Sequence, residues 1–484
     1  MDLSQRTAEP IPVGWRCGHP RRDLVGQPSM NELRIDKPSL IWGQPSGEGE
    51  PISTVSPLGT TVTTFKGLSE EELDALFQQR HPREECNVEA FAEALADRLK
   101  QRRVEFADAM RIGTGFNRGD CGEMVDGAVE LLRTWDNATS PLCQPISYPG
   151  RVMELHRAPW GTVSVILPQN AFLLIGLTSL LSALSTGNRI VLRAPSSEAQ
   201  SAVLLGEALK EVGLSSDLYS LVLCDARDFI RMAISSPIHP LIHLLGSSRH
   251  GIDLVARGLE EGCATLVDGD GNTWVYVDKD WEPREAANLL WQGAIRYSGQ
   301  TCTSINGAVI HPDVYPQVRD HLRQFTQSTK FGFGDEPVGP LFSEGQAKAA
   351  EERICESKGA MGRVGNSRGN LVPPTLVEDP DWDSRLVTEG VFAPALWIRS
   401  GDFKAFADKW PTNKYPLSVG VCSHRLDGAH ILSQLSGAAR VMLNGDPSLE
   451  HVREPWGGYP ASGNNPVSPW IDKYTRVVQL DRPS

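Results

Sequence analysis

The sequence predicts an α/β protein of two consecutive lobes, and three observations carry that prediction. From Gly161 onward, short apolar runs alternate with stretches of helical length and period, the pattern of a parallel sheet covered on both faces. The alternation restarts near Thr273 and continues to about residue 443. At 484 residues the chain is too long for one ordinary core, and roughly 150 residues per domain suggests about three.

The elements follow in order. Residues 1 to about 65 are rich in Pro, Gly, Ser and Thr and read as extended chain. Ser69 followed by Glu72 is a capping-box start for a helix. Amphipathic runs then cover Val88 to Met110 and Glu123 to Trp135. Short β-like pieces surround Pro149-Gly150 in residues 140–158. Next come a buried strand at Thr162–Leu167, a helix at 172–186, a strand at Arg189–Leu192 and a helix at 197–212. Strand Leu218–Leu223, a helix near 228–235 and strand Leu241–Leu245 complete the first lobe. The second opens with strand Thr273–Val277, helix 284–296, strand Ala308–Ile310 and helix 312–328. No short-period repeat or low-complexity tract interrupts either lobe.

Composition narrows the function classes. Apolar residues at 40% and charged residues at 22% describe a folded soluble chain. Forty-seven basic against 60 acidic residues leave a net charge of −13, which argues against nucleic-acid or anionic-membrane partners. The nine cysteines are scattered, odd in number and without a CxxC, so neither a disulfide framework nor a metal site is expected. A reducing cytoplasm is the expected compartment. The N-terminus has no apolar targeting core, and Arg21-Arg22 is followed by polar sequence. The most apolar stretch, Phe172 to Leu184, is too short to span a bilayer and reads as a buried helix.

Cys302 is the first candidate for chemistry. It lies in Ser298-Gly-Gln-Thr-Cys-Thr-Ser, after a predicted helix, among small residues that leave room for a ligand. A thiol adding to a carbonyl forms a hemithioacetal whose oxyanion needs a nearby donor. An isolated cysteine would read as structural; the motifs around this one change that reading. They are Pro168-Gln169-Asn170, Gly187-Asn188 before Val191-Leu192-Arg193, and Leu245-Gly246-Ser247 with Gly251. Gly299-Gln300-Thr301-Cys302, Glu389-Gly390-Val391-Phe392-Ala393-Pro394, and Asn444 with Pro455-Trp-Gly-Gly458 and Ser462-Gly463 complete the series. In this order and spacing they resemble the aldehyde dehydrogenase superfamily, from about residue 65 to the C-terminus.

The resemblance implies a Rossmann-type cofactor domain, an α/β catalytic domain and a small β oligomerisation extension. The expected boundaries are 1–139 with 159–262, then 263–454, and 140–158 with 466–484 for the extension. Cys302 would be the nucleophile, and Asn170 would donate to the oxyanion beside the Cys302 amide. Pro168, Gln169, Arg193, Ser196, Gly246, Ser247 and Phe392 would contact the cofactor. Gly246 and Ser247 would sit at a helix start beside its pyrophosphate. A homodimer or homotetramer acting on a small-molecule aldehyde or acyl thioester is implied.

Three departures qualify the likeness. Where hydrolytic members carry a Glu 34 residues before the nucleophile, this chain has Asp268, one methylene shorter, in Asp268-Gly-Asp-Gly271. Gly390 replaces the Glu that holds the nicotinamide ribose, and Cys224-Asp-Ala-Arg227 replaces a glycine-rich turn. Ser196 stands where NAD-preferring members place a Glu, so a neutral hydroxyl beside Arg193 favours NADP over NAD; Glu198, two residues on, would oppose it. Three activities follow from the resemblance: oxidation of an aldehyde to the acid with Asp268 as base, an acylating enzyme or acyl-thioester reductase using a thiol such as coenzyme A, and a redox-silent acyltransferase or binding protein. Phe116, Phe172, Leu173, Tyr297, Trp456 and Tyr459 are expected to line an apolar tunnel, with Arg118 as a candidate carboxylate anchor.

Overall fold

The strands at the centre of the first sheet are apolar along both faces, so they can form only where helices cover them on both sides. In the computed structural model, which describes residues 30–78, 86–136, 138–451, 453–459 and 461–483, five such strands run parallel. Their order is Thr265–Asp268, Leu241–Leu245, Thr162–Ile166, Arg189–Arg193 and Tyr219–Val222. Antiparallel Ser39–Ile41 and Gln44–Ser46 extend the far edge. One face carries a core that includes Leu177, Leu180 and Leu205; the other carries Phe229, Ile234 and Leu254.

This order places the chain reversal between Thr162–Ile166 and Leu241–Leu245. Ligands of open α/β sheets bind at the carboxyl ends of the strands, where the winding reverses. The loops at that point contain Asn170 and Gly246–Ser247.

The second sheet also has seven strands, with Thr273–Val277 between Ile305–Ile310 and Ser418–Cys422. Its core is aromatic: Trp274 meets Trp397 and Trp410 edge-on, with ring centroids 5.1 and 5.7 Å apart. A third, antiparallel sheet joins Ile146–Tyr148, Arg151–Pro159 and Thr475–Pro483. It leaves Ile146, Tyr148, Val477 and Leu480 exposed.

Several local expectations change in the folded chain. The Val88 to Met110 run is two helices, Val88–Gln101 and Arg103–Thr114, separated at Arg102. The run expected from Glu123 starts at Arg118, because Asn117 accepts the Asp120 amide and caps it. Thr265–Asp268 pairs with Leu241–Leu245, so the first sheet extends past the 262/263 division drawn from the sequence. The capping box forms as expected: Glu72 N donates to Ser69 Oγ at 3.2 Å and Ser69 N to Glu72 Oε2 at 2.8 Å. Cys302 is a free thiol. Arg21, Arg22 and Cys17 lie outside the described residues. Among the described residues no helix is long and apolar enough to cross a membrane.

Candidate active site

Cys302 sits in a turn held by strained but well-anchored backbone. After the Pro283–Ile295 helix, Tyr297, Ser298 and Gly299 all adopt left-handed φ values of 52°, 56° and 68°. Non-glycine residues in that region cost about 1–3 kcal/mol each and persist only when their surroundings fix them. Here the Tyr297 amide donates to Asp120 Oδ2 at 3.2 Å, and Ser298 Oγ accepts from Gly339 N at 2.9 Å. Gln300 accepts from Phe342 N and donates to Pro340 O. Beyond the nucleophile, Thr303 Oγ1 donates to Ser448 O at 3.3 Å. Half-buried Cys302 is a protonated thiol at rest: burial, and then the carboxylates of Glu450, Asp268 and Asp270, push it well above its ordinary value.

Asp268 belongs to a buried polar network behind this turn. Its Oδ2 lies 2.8 Å from His243 Nε2 and 3.7 Å from Lys473 Nζ, and its Oδ1 accepts from Asn465 Nδ2 at 3.1 Å. Lys473 in turn donates to Asn465, and His243 Nδ1 lies 3.0 Å from the Tyr474 hydroxyl. Burial alone would raise the Asp268 carboxyl; Lys473, His243 and Asn465 overcome it and hold the group well below the usual carboxylate range. The loop then runs on to the nucleophile. Gly269 N donates to Ser462 O at 2.8 Å, and Gly271 packs so tightly that a Cβ there would lie 2.0 Å from the Cys302 carbonyl oxygen.

The dinucleotide scaffold is present, and several of its expected contacts are already used within the chain. Asn170 is partly accessible, and its side chain makes no hydrogen bond among the described residues. Pro168 and Ser196 are partly accessible, whereas Gln169 Nε2 donates to Gly113 O at 2.8 Å. Arg193 donates from Nε and Nη2 to Cys224 O at 3.1 and 2.8 Å, so its guanidinium faces the turn that replaces the glycines. Gly246 N bonds Asp268 O. Ser247 begins the Ser248–Glu260 helix, whose first amide, Ser248 N, donates to Asp270 Oδ2 at 2.9 Å. Phe392 is 38% exposed and free to meet a ligand.

Gly390 explains the missing ribose carboxylate. It adopts φ +73°, and a Cβ there would lie 2.7 Å from the side-chain oxygens of Asn272 and Asn306. Only glycine fits. Neighbouring Glu389 is committed to Lys414 at 2.7 Å and Arg353 at 3.4 Å. Glu198, which sequence placed as a possible repellent of a 2′-phosphate, is 1% exposed and packs against Gly113. Buried there, it presents no charge to a nucleotide, and its carboxyl is pushed up to about 8 by burial.

Other expectations shift with the packing. Phe116, Phe172 and Leu173 are core residues, 0–1% exposed, rather than tunnel walls. Tyr297 packs on Phe116 with centroids 5.5 Å apart, while Tyr459 is 64% exposed. Arg118 pairs with Asp108 at 3.6 Å on the surface. Sequence reading missed His243, Lys473, Asp120 and Glu450. Asp120 carried a local signal, the Asn117-x-x-Asp120 cap, and burial pushes it up to about 7. Glu450 is exposed, and no spacing in the sequence marks it.

Comparison with known proteins agrees with this fold. The profile described as "Aldehyde dehydrogenase family" matches residues 79–479. α-Ketoglutarate semialdehyde dehydrogenase of Haloferax volcanii is 26% identical over 76% of this chain and 79% of its own length. The crystal structure of aldehyde dehydrogenase 21 from Physcomitrella patens, in complex with the reaction product succinate, superposes with a TM-score of 0.82 at 21% identity, covering 94% of this chain and 99% of that one. The NAD+ complex of an aldehyde dehydrogenase from Bacillus cereus gives 0.81 at 23% identity, covering 92% and 96%. The chain belongs to the aldehyde dehydrogenase family and is an oxidoreductase of that type.

Proposed function

We propose that this chain oxidises an aldehyde with NAD(P) through a covalent thioester on Cys302. The observation that carries the reading is the Cys302 turn, rigidly anchored and backed by the Asp268–Gly271 loop at the meeting of the two sheets. Cys302, partly accessible, releases its proton to solvent water and its sulfur adds to the aldehyde carbon, turning the carbonyl oxygen into an oxyanion. Asn170, with an unengaged side-chain amide, and the Cys302 backbone N–H donate to that oxygen. NAD(P), when bound, would supply the acceptor for the hydride that leaves the adduct, with the acyl group remaining on sulfur. Pro168, Ser196, Gly246, Ser247 and Phe392 would hold the cofactor. Ser196, with Glu198 buried, favours NADP.

The geometry of Asp268 bears on the second half of the reaction. A general base works best with a pKa near the operating pH. Asp268 is held far below it, and both oxygens are engaged. It would serve water only after leaving His243, Lys473 and Asn465. A thiol acceptor needs less activation, and this observation favours acyl transfer from Cys302 to a thiol such as coenzyme A over release as the free acid. The exposed apolar residues of the 146–159 and 475–483 sheet support at least a homodimer.

The test is a panel of aldehydes with NAD or NADP, with and without coenzyme A, followed by absorbance of the reduced cofactor. Aldehyde-dependent reduction supports the reading. Its absence across the panel, in protein that still binds NADP, favours the redox-silent alternative.

A further inference from the structure

Resting on the cofactor reading above, we propose that Asp270 is a built-in competitor for the cofactor's diphosphate. The dinucleotide binds by displacing this carboxylate from the start of the Ser248–Glu260 helix.

The contact is reciprocal. Ser248 N donates to Asp270 Oδ2 at 2.9 Å, and Asp270 N donates to Ser248 Oγ at 2.8 Å. The first amides of a helix have no partner within it and carry partial positive charge, which is why phosphates settle there. In this chain an internal carboxylate takes the first of them. The helix follows Gly246 and Ser247, the residues that would face the pyrophosphate, and starts where the winding of the first sheet reverses.

The carboxylate cannot leave by moving its loop. Asp268 O accepts from Gly246 N, Gly269 N donates to Ser462 O, and Gly271 packs against the Cys302 carbonyl. With residues on both sides pinned, Asp270 yields the amide only by rotating its side chain. Its charge then stays within a few bonds of the incoming diphosphate. Arg193 does not offset it freely, since two of its nitrogens already donate to Cys224 O. A diphosphate therefore meets an amide already occupied and a negative charge beside it. Asp270 lowers dinucleotide affinity, and removing its charge raises it.

Isothermal titration of the full-length protein with NADP, NAD and ADP-ribose tests this without reference to turnover. ADP-ribose carries the same diphosphate and no nicotinamide, so it isolates the contact. Asp270→Gly should bind all three about tenfold more tightly than wild type, the scale of a charge at a helix terminus. Asp270→Asn keeps an oxygen for Ser248 N while removing the charge, and should fall between the two; it also serves if the glycine variant does not fold. Affinities equal to or weaker than wild type in the folded variants would overturn the role of Asp270 and leave the cofactor reading standing. No binding of NADP or NAD by wild type or either variant would remove the cofactor reading, and this inference with it.

Discussion

Asp268 Oδ2 lies 2.8 Å from His243 Nε2, with both side chains almost fully buried. Burial keeps His243 neutral and Asp268 is ionised, so Nε2–H donates to the carboxylate and Nδ1 accepts from the Tyr474 hydroxyl. Lys473, 1% exposed, supplies the compensating charge. This network ties Leu241–Leu245 and Thr265–Asp268 of the first sheet to the C-terminal segment, immediately behind the nucleophile turn.

Removing Lys473 should therefore be costly. Lys473→Met leaves a buried carboxylate without its cation, and breaking such a pair costs about 3–5 kcal/mol. Urea denaturation should show that loss. The pH dependence has a definite sign: Asp268 is depressed in the fold, so its stabilisation is complete above the ordinary carboxylate range and is lost only as the pH falls below it. A Lys473→Met protein as stable as wild type at pH 7 would contradict the network.

Glu198 should titrate in the opposite sense. Its folded pKa is raised to about 8, so the protonated group fits the core at low pH and its stabilisation is lost as the pH rises through that value. Glu198→Gln should melt at a higher temperature than wild type at pH 9, and the difference should shrink steadily toward pH 5. Melting curves across that range check it; a constant difference would show that the Glu198 carboxyl is not raised above its ordinary range in the fold.

Asn170→Ala removes one oxyanion donor. Turnover should fall by about 10²–10³ with little change in KM, as at other oxyanion holes. A loss confined to KM would assign Asn170 to substrate binding instead.

Coenzyme A should raise the steady-state rate of the wild-type protein severalfold, because Asp268 is engaged and too weakly basic to activate water well. Stopped-flow absorbance of the reduced cofactor reads this directly. If coenzyme A has no effect while Asp268→Asn gives one rapid turnover per chain and then stalls, water is the acceptor and Asp268 is its base.

Much of the fold was legible because its strands are short apolar runs separated by helices of ordinary length. Leu241–Leu245 and Thr273–Val277 are read directly from the sequence and appear at those residues. The break at Arg102 was not legible, because the apolar period continues across it and only the backbone geometry changes. Cys302 announced itself through Gly299-Gln-Thr. The partners of Asp268 did not, since His243 and Lys473 are 25 and 205 residues away and meet it only through sheet pairing and the C-terminal return. Glu198 looked like a surface carboxylate beside a cofactor loop; the turn that starts its helix points it into the core.

The most direct test of the central claim is the mass of the protein caught during turnover. Wild-type chain mixed with a reactive aldehyde and NADP, quenched in acid within milliseconds and digested, should show the acyl group on the Cys302 peptide. Cys302→Ala should show no adduct and no cofactor reduction, while keeping the wild-type melting curve and NADP affinity. Cofactor reduction by Cys302→Ala at near wild-type rate would contradict the account, because no covalent intermediate on Cys302 would then be needed.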